Sequence, residues 1–83
     1  MEKETEYEVE SRMIFAASCV ESLAERMKIP SDEMYLRMKA VGMFDNYIFP
    51  AYDALHTESR ENLTDDLESC LLEWEEWQKK GKL

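Results

Sequence analysis

Apolar residues recur along most of the chain at intervals of three and four, the spacing that keeps side chains on one face of an α-helix. The first such run is Val9, Met13, Ala16, Val20, Leu23 and Met27, which predicts a helix from about Thr5 or Tyr7 to Lys28. Glu residues at 2, 4, 6, 8 and 10 crowd its start, and Arg26 and Lys28 close it, the signs that suit the helix dipole. Residues 1–6 are the ones expected to fray.

Ile29-Pro30-Ser31 breaks the pattern, because proline lacks an N–H and drives the preceding residue out of the helical region. Ser31 is the expected N-cap of a second helix over 32–41, with Tyr35, Met38 and Val41 inward, Met34 beside them, and Gly42 at the left-handed C-terminal position. A third helix is expected over 46–55, capped by Asp45, with Phe44, Ile48, Ala51 and Leu55 on its inner face and Phe44 stapled to Phe49. Pro50 falls inside it. Either the helix kinks there, or one turn at 45–49 hands over to a helix that starts at Pro50. Residues 56–60 read as a connection. Thr64 then caps a fourth helix over 65–80, whose stripe is Leu67, Cys70, Leu71, Trp74 and Trp77, with Leu63 leading in, Lys79 and Lys80 in its last turn, and Gly81 beyond.

No segment alternates as a strand does, and no repeat or linker is visible. The fold expected is all-α: a single domain, residues 1–83, of three or four helices around one core. Eighty-three residues leave room for little more.

Charge narrows the function. Nineteen acids against ten bases give a net charge of -9, which repels phosphate backbones and attracts basic proteins. Residues 1–10 carry five Glu against one Lys, residues 51–83 carry nine acids against four bases, and 11–50 sum to zero. The segments at 32–41 and 46–55 superficially suggest a helix-turn-helix, but residues 40–59 contain no Lys or Arg, so DNA reading by that unit is rejected. There is no apolar run long enough to span a bilayer, and Met1 leads into Glu2-Lys3-Glu4, so a cytoplasmic protein is expected.

The residues offer little chemistry. Cys19, Cys70 and the single histidine, His56, are too scattered for a zinc set, and no glycine loop exists to cradle a phosphate. Reduced, buried thiols are expected for both cysteines, although a Cys19–Cys70 bridge would be within reach if the first and last helices lie side by side. A Cys19–His56 nucleophile would need an exposed thiol of lowered pKa, whereas Cys19 sits beside the apolar stripe. Adjacent carboxylates such as Asp65 and Asp66 diverge by about 100° on a helix and do not converge on a metal. No cofactor, metal or catalytic residue is assigned. The apolar residues off their stripes, Ile14, Phe15 and Leu72, together with Trp77 near the C-terminus, are the candidate partner surface.

Tyr52-Asp53-Ala54-Leu55-His56-Thr57 followed by Leu63-Thr64-Asp65-Asp66-Leu67 resembles a family of short bacterial proteins classed only as a domain of unknown function. Their pattern is similar to Tyr-x-x-Leu-His-Thr, a polar turn, an apolar residue and an Asp-led helix, and the resemblance covers about residues 9–75. Many relatives place a glycine after His-Thr where this chain has Glu58-Ser59. Tyr52, Leu55, His56, Thr57, Asp66 and Leu67 carry over, and they read as a structural corner: His56 donating to free helix carbonyls, Thr57 bonding the turn that follows. Some members look like small partners of toxin-type proteins, including ones similar to ADP-ribosyltransferases, which implies an antitoxin-like or accessory binding role. The expectation is therefore a small acidic interaction module that binds a basic protein and is not an enzyme. The alternatives are a small-ligand or enzymatic site around His56 and Tyr52, or a self-associating structural homodimer.

Overall fold

The computed structural model describes residues 6–81, and side chains from residue 10 onward. The fraying expected of the first few residues, and the place of the Val9 side chain, lie outside that range. The elements are α1 (Glu6–Met27), α2 (Ser31–Ala40), a π-turn (Phe44–Ile48), α3 (Tyr52–Leu55) and α4 (Arg60–Lys79). The all-α class is as expected, and no strand occurs among the described residues.

The long helices α1 and α4 pack together and α2 packs on α1. Their shared core is Cys19 and Leu23 of α1, Met34 and Met38 of α2, Met43, Ile48, and Leu67 and Leu71 of α4, all fully buried. Three of these eight are methionines, whose unbranched side chains fill the irregular space where short elements meet long ones. Charged bridges lock the outside. Arg37 of α2 grips Glu75 of α4 with two bonds of 2.8 and 2.6 Å. Arg26 of α1 reaches Asp65 at 2.7 Å and Glu68 at 3.2 Å. Gln78 donates to the Ala40 carbonyl at 2.8 Å, satisfying one of the free carbonyls at the end of α2.

Helix ends depart from expectation for local reasons. Pro30, at φ -62 and ψ 148, holds the cap position of α2, and its carbonyl accepts the Met34 N–H at 3.0 Å; Ser31 is therefore the first helical residue and not the cap. The end of α1 is closed by Ile29 N–H to Ala24 O at 3.0 Å and Lys28 N–H to Glu25 O at 3.3 Å, with Lys28 left-handed at φ 59. That is a Schellman closure made with lysine where glycine is usual. Gly42 (φ 73) and Gly81 (φ 75) take the expected left-handed positions after α2 and α4.

The expected third helix is not one helix. Phe49 N–H bonds Phe44 O at 2.9 Å, five residues back, so the first turn is widened. In an α-helix the Pro50 ring would meet the carbonyl of residue 46. The turn opens just before it, and α3 begins only at Tyr52, with neither a kink nor a start at Pro50. Asp45 caps nothing, because the chain enters the turn at Met43 with helical dihedrals, φ -67 and ψ -31. Phe44 and Phe49 do meet, at 6.4 Å between ring centres.

Helix α4 starts five residues earlier than expected. Ser59 is its cap, accepting the Asn62 N–H at 3.2 Å. Thr64 is a buried residue of the second turn whose hydroxyl donates back to the Arg60 carbonyl at 2.7 Å, so it is not the cap. Three stripe assignments also change. Met13 is 60% exposed and Tyr35 43% exposed, both at the edge of their helices' buried faces, and Trp77 near the end of α4 is exposed too. On α4, Leu63, Leu67 and Leu71 are buried, Cys70 and Trp74 half-buried, and Trp77 exposed.

Candidate functional site

The motif residues build the corner between α3 and α4. Tyr52 opens α3, and its carbonyl accepts both the His56 N–H at 2.9 Å and His56 Nδ1 at 2.7 Å. The two rings stack at 4.5 Å between centres and 5° between planes. Phe15 meets the Tyr52 ring edge-on at 5.4 Å, and the Arg12 guanidinium lies 5.2 Å from its centre. Thr57 donates its hydroxyl back to the Ala54 carbonyl of α3 at 2.9 Å, and not to the turn that follows as expected, because the end of α3 leaves that carbonyl free; Leu55 and Leu67 are buried in the core. These bonds give Tyr52, His56 and Thr57 structural work, as a helix C-terminus requires.

Asp66, the remaining motif residue, is exposed on α4 beside Glu58. Desolvation, and then the neighbouring Asp66 carboxylate, hold the Glu58 carboxyl above its ordinary range. Tyr47, half-buried against Trp74, is likewise pushed up, first by desolvation and then by Asp66.

The thiols are poorly placed for nucleophilic work. Burial pushes Cys19 up to about 12 and Cys70 up to about 11, the reverse of what activates a thiolate. Both are free; Cys19 is buried as expected, whereas Cys70 is only half-buried. The His56 ring nitrogen is engaged with Tyr52 and not with Cys19. Among the described residues no group of three His, Cys, Asp or Glu side chains is placed to hold a metal ion.

The candidate partner residues divide. Ile14 is 70% exposed, Leu72 47% and Trp77 40%. Phe15 is only partly exposed: it packs against the core and meets Tyr52 of α3. Leu72 and Trp77, five residues apart, point about 140° away from each other on α4 and form no single patch.

The concave apolar surface lies elsewhere. A groove of about 410 Å³ runs between α1, α2 and the π-turn, walled by Met13, Ala17, Tyr35, Phe44 and Phe49 and floored by Ala16 and Val20, with Lys39 and Asp45 at its rim. Sequence reading placed Met13, Tyr35 and Phe44 on inner faces. What it missed is that the π-turn is too short to cover α1 and α2 completely, so residues at the edges of three apolar stripes are left facing one another across open space. The only signal was the surplus of large apolar residues at Met13, Met34–Leu36 and Phe44–Phe49.

The family described as "Protein of unknown function (DUF3791)" matches residues 14–74. The chain belongs to this family. The DUF3791 match takes in both walls of the groove from Ile14 onward and the entire His56 corner. No curated protein and no solved structure matches the chain.

Proposed function

We propose that this DUF3791 protein is a small acidic helical module that works by binding a protein partner and not by catalysis, in an antitoxin-like or accessory role. The observation that carries the reading is the open apolar groove between α1 and the π-turn, with Met13 and Tyr35 exposed on its walls. Small proteins seldom leave large apolar side chains gathered round a concavity unless something covers them. The engaged His56 ring and the desolvated Cys19 thiol support binding over chemistry. A net charge of -9 supports a basic partner. Among the described residues no helix is long and apolar enough to cross a membrane.

The test is affinity capture from the source organism with the tagged protein, under low and high salt, alongside light scattering of the purified chain. A specific basic protein lost at high salt is the expected result. Recovery of nothing specific, with a strictly monomeric protein in solution, would remove the reading.

A further inference from the structure

On the side of α1 turned away from the groove, a notch of about 350 Å³ opens between α1 and the start of α4, lined by Ser22, Glu25, Arg26, Arg60, Glu61 and Thr64. Two of these carry hydroxyls and are almost wholly covered, Ser22 at 5% and Thr64 at 4% exposed; they are the only polar side chains buried among the described residues. A helical serine or threonine satisfies a covered hydroxyl by turning it back to the carbonyl four residues earlier. Thr64 does so, donating to Arg60 at 2.7 Å, which spends its proton and leaves it lone pairs to offer. Ser22 does not. Its hydroxyl makes no hydrogen bond among the described residues, and the little surface it keeps lines the notch. A polar group so covered costs free energy unless a partner from outside meets it.

The surrounding charge selects a cation. Arg26 is already committed, its Nη1 bonded to Asp65 at 2.7 Å and to Glu68 at 3.2 Å. Glu25 and Glu61 are exposed and make no ion pair among the described residues. Those four carboxylates against the two guanidiniums of Arg26 and Arg60 leave the notch and its bridges at -2. The acceptors decide which cation. Among the described residues no group of three His, Cys, Asp or Glu side chains is placed to hold a metal ion. A guanidinium is a flat fork that takes a carboxylate edge-on, whereas an ammonium is a compact charge whose three N–H groups spread round a cone. Hydroxyls on the floor and carboxylates at the rim suit the second. We propose that the notch receives the ammonium of a lysine side chain of a protein partner, with Ser22 and Thr64 accepting two of its N–H groups and Glu25 or Glu61 the third. This rests on the binding-module reading, and it names the group recognised and a surface separate from the groove.

The probe is Nα-acetyl-lysine N-methylamide, titrated into the full chain at constant ionic strength and followed by amide chemical shifts. Saturable shifts centred on Ser22, Glu25, Glu61 and Thr64, with a Kd on the order of 1 mM, are expected. The Nε-trimethyl analogue keeps the charge but has no N–H to give, and it should bind at least about tenfold more weakly. Ser22→Ala, which removes one oxygen and suits a helix, should weaken the lysine probe by a similar factor while leaving the rest of the amide spectrum in place. Equal binding of the trimethyl analogue, unchanged binding by Ser22→Ala, shifts spread evenly over the acidic surface, or no saturable binding would overturn the proposal. A carbodiimide then tests the source of the ammonium in the complex captured from the host. It takes up the water released as a carboxylate and a touching amine form an amide. A partner lysine joined to Glu25 or Glu61 is expected; a captured partner without that link assigns the notch to free amines and overturns the lysine contact. A partner held equally by the native chain and Ser22→Ala contradicts the notch and leaves the module standing, whereas no partner with either contradicts both.

Discussion

Lys28 and Gly42 both turn the chain through left-handed backbone, one with a side chain that resists it and one without. An L residue there costs roughly 1–2 kcal/mol, partly offset in a glycine by its greater freedom when unfolded. Lys28→Gly should therefore raise stability by roughly 0.5–1 kcal/mol in a urea titration. Gly42→Ala should lower it by about 1–2 kcal/mol. Its Cβ would also come 2.7 Å from Asn46 Nδ2, but that is the far end of a mobile side chain, so the backbone decides the sign. Cys19 offers a second test. Its thiol titrates near 9 in a free chain and at about 12 when folded. Below pH 9 both states hold the proton; above it the unfolded chain loses its proton first, so stability falls as pH rises toward 12. Alkaline denaturation should be shallower in Cys19→Ala, and in the native protein at pH 8 a thiol reagent should leave Cys19 unreacted until denaturant is added.

At the scale of elements, what could be read from the sequence was whatever period and punctuation specify. Residues Ala16, Val20 and Leu23, and Leu63, Leu67 and Leu71, announced α1 and α4, and Gly42 and Gly81 marked two ends. The bounds that were missed depend on which of several competent residues caps first. Ser59 and Thr64 are both competent caps, serine the better of the two; Ser59 wins because residues 60–63 carry the helix on and bury Leu63. Ser59→Ala should accordingly cost about 1 kcal/mol and speed amide exchange at Asn62. A π-turn leaves apolar spacing close to that of an α-helix, so Phe44, Ile48 and Ala51 gave no warning that the helix would open ahead of Pro50. The His56 bond was legible because it is local, from His56 to the Tyr52 carbonyl, whereas Thr57 turns back to Ala54 and not forward into the turn. The groove was not, since it arises from what three elements together leave uncovered.

For the molecule as a whole, the net charge of -9 is a load that folding tolerates. Glu58 and Asp66 crowd each other, and with the Glu58 pKa raised on folding, its contribution is favourable below the ordinary carboxylate range and is lost as pH rises through the folded value. Glu58→Gln should raise the melting temperature near pH 7 and do so much less at pH 4. Positive charge is used differently: Arg26 and Arg37 bind carboxylates of α4, holding the three longer helices together and keeping the frame of the groove fixed. The central proposal is that the groove binds a basic protein partner. The most direct measurement is photo-crosslinking in the native host with a benzophenone amino acid placed in turn at Met13, at Tyr35 and at Leu72. One basic protein joined at Met13 and Tyr35 and absent at Leu72 is the result predicted; crosslinks confined to Leu72, or none at the two groove positions, would contradict it.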